Sequence, residues 1–225
     1  MRYGRRWYGR RWYGRPWFDA AAVRHRLGQT KHRADMNQID ERIQAAFAAV
    51  PREKFLPRKQ RRHAGENRPL LIGHEQTNSQ PTTVRQMLQM LDPRTGHRVL
   101  DVGSGSGWTS ALLGHLVGPT GVVYGVELIP ELADMARRNL TAAAQHWVSV
   151  HQAEIGVLGA PSQAPFDRIL VSAEATSLPA ALVDQLDRRA RMVIPVSGRL
   201  SVVERDEAGS VAVRRVGHYS FVPLK

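Results

Sequence analysis

Past residue 36, apolar positions along this chain follow two alternating rhythms. Ile39, Ile43, Phe47 and Val50 recur every three or four residues, which predicts one face of a helix that stops at Pro51. Residues 57–72 are basic and irregular and read as a surface loop. Val84, Met87, Leu88 and Leu91 mark a second helix, opened by Pro81 and stopped before Pro93. A strand over 97–102, a turn GSGSG over 103–107 and a helix over 108–118 follow. Further strands are expected over 121–127, 147–152, 166–173 and 191–196. Helices are expected over 130–144, with Leu132, Ala136 and Leu140 on its face, and around 180–186. Strands alternating with helices argue an α/β, Rossmann-like, doubly wound parallel sheet with helices on both faces. The stretch 199–224 breaks the rhythm. Segments 200–204, 211–216 and 219–224 look like strands with no helix between them, expected as antiparallel additions to the sheet edge.

Composition splits the chain in two. The 225 residues carry a formal net charge of +12. Residues 1–35 hold ten basic and two acidic residues, a net +8, and leave only +4 for the rest. The arm contains YGRRW-YGRRW-YGRPW over 3–17, a five-residue period that suits neither helix nor strand, with Gly4, Gly9 and Gly14 weakening any helix. Arginine, aromatic and glycine residues together suit sequence-tolerant single-stranded nucleic-acid binding. The plainer reading is a solvated tail, or sequence upstream of a start at Met36. The organisation expected is therefore arm 1–35, helical region 36–95, core 96–196 and closing strands 197–225. There is no cysteine, which excludes disulfides and thiolate chemistry and is consistent with a cytoplasmic location. No apolar run is long enough to span a membrane. The nine His show no paired ligand spacing, so no metal is expected.

The chemistry concentrates at the glycine turn. Asp101-Val102-Gly103-Ser104-Gly105-Ser106-Gly107 lies between strand and helix, where a nucleotide cofactor binds in such folds. Its spacing is G-x-G-x-G, not the dinucleotide G-x-G-x-x-G, and an acid stands two residues before the first glycine. That pattern looks like S-adenosylmethionine binding. Glu127 ends the next strand, where a carboxylate can grip both ribose hydroxyls. Trp108 either packs over the cofactor or fills the helix–sheet core.

From about residue 39 onward the chain resembles the protein-L-isoaspartate O-methyltransferase family. The resemblance rests on VPREKFLP (50–57), RPLLIGHEQTNSQP (68–81), VLDVGSGSGW (99–108), VELIPELADMARRNL (126–140), APFDRILVSAEA (164–175), VDQLDRRARMVIPV (183–196) and FVPL (221–224). It implies a methyltransferase sheet and transfer of a methyl group from S-adenosylmethionine to the free carboxylate of L-isoaspartyl residues. The ester then cyclises to a succinimide that reopens partly to aspartate, a repair of aged protein. By the same resemblance Ser79 is the active-site serine, with His74, Thr77 and Asn78 at the substrate. Gln80, Pro81, Thr82, Thr83, Asp101, Gly103, Ser104, Gly105, Glu127, Leu128, Ile155 and Gly156 fall at cofactor positions. The expected partners are isoaspartyl proteins or peptides, with no membrane and a monomeric state; nucleic acid through the arm is left open.

The chain also departs from the family. Glu75 stands where glycine is usual, Asn78 for isoleucine, Ile155 for an adenine-contacting acid, and Glu174 in an otherwise small-residue stretch. Two added carboxylates near an anionic substrate should repel it unless they face solvent or pair with a base. These departures leave other readings open: a carboxyl methyltransferase for one dedicated peptide, a nucleic-acid methyltransferase guided by the arm, or a cofactor-binding protein without turnover.

Overall fold

The structure, a computed structural model, describes residues 36–225. The repeat arm lies outside the described residues. Contacts gather residues 39–225 into one compact unit, and the N-terminal unit, residues 1–38, is described only at its helical positions 36–38.

Helix α1 runs to residue 49 and buries Ile39, Ile43 and Ala46. Helix α2 (Pro81–Leu91) buries the four apolar residues its spacing marked, and Pro81 occupies its first turn, where a missing N–H costs nothing. The alternation then follows as β3 (Arg98–Val102), α3 (Trp108–Val117), β4 (Val122–Glu127), α4 (Pro130–Ala143), β5 (Val148–Gln152), β6 (Phe166–Val171), α5 (Ala180–Val183), β7 (Leu186–Val196), β8 (Arg199–Arg205) and β9 (Val211–Val216). Strands β3 to β9 form one sheet in the order β5-β4-β3-β6-β7-β8-β9. It is parallel from β5 to β7, and β8 and β9 pair antiparallel at its edge.

The two faces are covered unequally. Val99, Val123, Val150 and Leu170 pack under α1 to α4, whereas Leu100, Val126, Ile169 and Ile194 meet only the single turn of α5 and irregular chain. The helix expected around 180–186 is this short because Gln185 turns its side chain back. Its Nε2 donates to Leu158 O and Ala181 O, and its Oε1 accepts the Ala160 N–H.

Three other expectations change. The surface loop over 57–72 contains a 3-10 helix (Arg58–His63) and then β1 (Leu70–Gly73), which pairs antiparallel with β2 (Gln76–Asn78) as a hairpin. Leu70 and Ile72 are buried against Leu56 and Leu132, so the hairpin rests on the start of α4. Strand β7 begins five residues early, because Leu186 pairs with Phe166 of β6 and Arg188 and Arg189 both donate to Glu207 just beyond β8. Residues 219–224 form no strand; their ladder contact is one bridge, Glu174 with Pro223.

The glycine turn is held from below by Asp101. Its Oδ2 accepts the hydroxyls of Thr109 (3.0 Å) and Ser110 (2.6 Å) in the first turn of α3, and its Oδ1 has no partner. Gly107, at φ 87°, lets α4 approach closely, since a Cβ there would stand 3.1 Å from Ala136 Cβ. Gly125 on β4 serves likewise, with Ser104 Oγ only 2.5 Å from where its Cβ would be.

Full burial pushes the Asp101 carboxyl up to about 6, against the opposing pull of the Ser110 and Thr109 hydroxyls, and Glu127 adds repulsion. The folded chain therefore holds this proton more tightly than the unfolded chain. Stability from this group is greatest below about pH 4 and declines as the pH rises to about 6, by roughly 3 kcal/mol. Urea unfolding from pH 4 to pH 7 should show Asp101→Asn losing less stability than wild type across that window. Parallel pH profiles would refute it.

Candidate active site

A cleft of about 1170 Å³ opens across the C-terminal ends of β5, β4, β3 and β6, the place where open parallel sheets bind ligands. Each strand ends in a segment of its wall. After β3 comes the turn 103–106; after β4, 127–130; after β5, 152–159; after β6, 172–177. The hairpin end 75–79 and the segment 222–225 close the remaining sides.

Glu127 is set for hydroxyl recognition. Its Oε2 accepts the Gly105 N–H (2.8 Å) and its Oε1 the Ile129 N–H (3.0 Å), which fixes the carboxylate while each oxygen keeps further lone pairs facing the cleft. Gly103 and Gly105 have φ of 79° and 54°, so at these two positions the turn lines the cleft with bare backbone. Together these groups fit the ribose and amino-acid portion of S-adenosylmethionine.

The hairpin is fixed by Arg52, which is only 6% exposed. Its Nε donates to Asn78 Oδ1 (2.7 Å). Its Nη2 donates to the carbonyls of Arg68 (2.9 Å), Asn78 (3.0 Å) and Ser79 (2.9 Å), and Nη1 to those of Ala64 and Glu66. The guanidinium lies 5.4 Å from the Trp108 ring. Burial, with a contribution from Arg68, lowers its pKa to about 10, so it stays charged at neutral pH. Arg52 thus holds the backbone of Ser79, a residue of the cleft wall. Arg52 lies in the VPREKFLP segment, where no local pattern distinguishes it from the neighbouring surface cations.

Of the residues expected at the substrate, Thr77, Asn78 and Ser79 line the cleft. The Asn78 side chain is 5% exposed and already engaged, accepting from Arg52 and donating to Ser106 Oγ (3.2 Å). It joins the hairpin to the glycine turn. His74 does not line the cleft; it sits at the hairpin tip, 4.0 Å from Glu131.

Of the residues expected at the cofactor, Gly103, Ser104, Gly105, Glu127, Leu128, Ile155 and Gly156 line the cleft. Asp101 lies beneath the turn and reaches the cleft only through the backbone it supports. Gln80, Pro81, Thr82 and Thr83 are not in the wall either, because the chain turns away there to begin α2, with Thr82 bonded to Asn67 Oδ1. The walls 172–177 and 222–225 were missed. Apart from Lys225, the side chains they present are small or apolar, and the end of β6 could have marked the first of them.

Trp108 fills the core: its Nε1 donates to Val50 O (3.1 Å) and its ring meets Phe47 edge-on at 5.4 Å, while one edge borders the cleft. Glu75 is exposed in the cleft rim at φ 59°, which accounts physically for a glycine preference there. Ile155 is 92% exposed at the tip of a turn closed by Val157 N–H to Glu154 O, with Glu154 also in the wall. Glu174 does not face the cleft.

Comparison with known proteins agrees with this geometry. The sequence profile of the family described as Protein-L-isoaspartate(D-aspartate) O-methyltransferase matches residues 26–225. A protein-L-isoaspartate O-methyltransferase of Methanothrix thermoacetophila is 47% identical over 191 residues, covering 84% of this chain and 90% of its own. One from Aeropyrum pernix is 48% identical over 187 residues, covering 81% and 72%. A Plasmodium falciparum structure, named for the same activity and in complex with S-adenosyl-L-homocysteine, superposes with a TM-score of 0.73 at 24% identity, covering 88% and 96%, a likeness of fold. With its sequence profile matched over most of its length and relatives nearly half identical, the chain belongs to the protein-L-isoaspartate(D-aspartate) O-methyltransferase family.

Proposed function

We propose that this chain methylates the free carboxylate of L-isoaspartyl residues in damaged proteins or peptides, with Ser79 orienting the acceptor and the 103–106 turn and Glu127 holding the cofactor. The observation that carries the assignment is one cleft with Ser79 on one wall and the Glu127–glycine-turn pair on another. The names of the relatives favour isoaspartyl repair over a dedicated peptide or a nucleic-acid acceptor.

When bound, S-adenosylmethionine supplies an electrophilic methyl group on a sulfonium. The residues of the chain do the rest by position. An acceptor carboxylate with a pKa of about 4 is already ionised at neutral pH, so no general base is required. That agrees with a wall whose charged side chains are Glu75, Glu127, Glu154 and Lys225. The Ser79 hydroxyl donates to one oxygen of the acceptor carboxylate and leaves the other free to attack. Arg52 fixes the serine backbone, and Asn78 keeps the hairpin in register with the turn that holds the cofactor. The apolar walls exclude water, which would weaken the orienting bond. In this proposal the chain acts as a monomer in the cytoplasm; the lack of cysteine suits a reducing compartment.

The repeat arm supports a separate property, binding of single-stranded nucleic acid through arginine–phosphate contacts and aromatic stacking. It does not alter the acceptor.

Labelled S-adenosylmethionine should deliver base-labile methyl ester to an isoaspartyl peptide and none to its aspartyl twin; no ester on the isoaspartyl peptide would sink the assignment. Ser79→Ala should lower kcat/KM by about a hundredfold while S-adenosylhomocysteine still binds by calorimetry. Glu127→Ala should weaken that binding by about tenfold or more. An oligonucleotide should bind the full chain with strong salt dependence and should lose affinity for a chain starting at Met36, while methylation of the peptide is unaffected. Equal binding by both chains would exclude the arm.

A further inference from the structure

Two wall segments of the cleft belong to no strand or helix: 172–177, which follows β6, and 222–225, the end of a strap that starts at Phe221. Glu174 stands between them. Its N–H donates to Val222 O (2.7 Å), its carbonyl accepts the Leu224 N–H (2.8 Å), and it bridges to Pro223 in parallel register. The side chain adds a second set of ties. Oε1 accepts the N–H of Gly198 at 2.7 Å, and Oε2 accepts that of Phe221 at 3.4 Å. Gly198 forms the tight β7–β8 turn with Ser197, and its carbonyl accepts the Tyr219 N–H (2.9 Å). One carboxylate therefore joins the tip of a hairpin, the start of the strap and the wall after β6. Its charge is directed at backbone donors and away from the cleft, which removes the repulsion of an anionic acceptor expected of an acid at this position.

Sheet order decides which part of the cleft this assembly bounds. Glu127, the 103–106 turn and the 152–159 segment stand at the ends of β4, β3 and β5. The 172–177 wall stands at the end of β6, on the other side of β3, and the strap lies beside it. Cofactor groups thus occupy one half of the sheet edge, and the strap borders the other.

We propose that Glu174 is a positioning residue for the acceptor: its carboxylate clamps the strap 221–224 against the β7–β8 turn and so shapes the peptide half of the cleft. Glu174 touches neither peptide nor cofactor. The inference rests on the acceptor site described above. A small residue at this position, as the family resemblance has it, keeps the backbone ties and loses the side-chain ones.

Three measurements on the full chain test this. Glu174→Ala should raise KM for an isoaspartyl peptide by about tenfold, with kcat changed less than about threefold. Its affinity for S-adenosylhomocysteine by calorimetry should match wild type. Hydrogen exchange at Gly198 and at 221–224 should quicken while that of β3 and β4 stays the same. Glu174→Gln, which keeps one acceptor oxygen, should fall between the two and serves if the alanine variant does not fold. An unchanged peptide KM, or an equal loss of S-adenosylhomocysteine affinity, overturns the proposal. If the wild-type chain leaves the isoaspartyl peptide unmethylated, the acceptor reading fails. Exchange at Gly198 and 221–224 then decides the clamp alone: faster in Glu174→Ala supports it, unchanged refutes it.

Discussion

A single buried guanidinium determines whether this cleft has a working wall. Arg52 brings a full positive charge to a site that is 6% exposed, and desolvation makes that costly unless each donor finds an oxygen. The chain supplies those oxygens from residues 64 to 79, five backbone carbonyls and the Asn78 amide oxygen. A stretch that is irregular in sequence must therefore fold around the cation. The planar fork matters here. A lysine ammonium could carry the charge but could not donate in one plane to Asn78, Arg68 and Ser79 at once. The serine's place, and through Asn78 and Ser106 its distance from the glycine turn, follow from satisfying this one group.

The same constraint explains what could be read from sequence. Segments governed by a local period were legible: α2 from Val84, Met87, Leu88 and Leu91, and the β3–turn–α3 unit from its apolar strand and glycines. The β1–β2 hairpin was not. Its strands are four and three residues long, too short to establish alternation, and Arg52, near twenty residues upstream, specifies them. The early start of β7 was hidden for a similar reason, since Asp187-Arg188-Arg189 looks like loop until Glu207 and Glu204 are brought opposite. For the site, Glu127 and the glycines were legible because their chemistry is local. The position of Thr82 was not, because only the geometry of the α2 start turns it toward Asn67.

The four departures from the family pattern separate once they are placed. Asn78 is absorbed by the Arg52 network and gains a bond to Ser106 that isoleucine could not make. Glu174 is absorbed by backbone donors. Glu75 and Ile155 lie at the rim, the first in a left-handed conformation and the second almost fully exposed. Two departures thus alter how the walls are fastened, and two alter what an approaching ligand first meets.

That division bears on the electrostatics of transfer. The reaction brings a sulfonium cation to a carboxylate, and the sequence alone made Glu75 and Glu174 look like equal obstacles to the anion. Glu174 is turned to donors behind the wall, so its field within the cleft is largely compensated. Glu75 remains at the mouth, exposed to water and salt, where screening over a Debye length of about 8 Å weakens it further. The other carboxylates in the wall are Glu127, at the end of β4, where it meets ribose hydroxyls in the proposed arrangement, and the exposed Glu154 after β5; both lie on the cofactor side of the sheet edge. A carboxylate acceptor entering beside Ser79 therefore faces hydroxyl and backbone groups more than acids. Among the described residues this balance rests on where Glu75, Glu127, Glu154 and Glu174 stand.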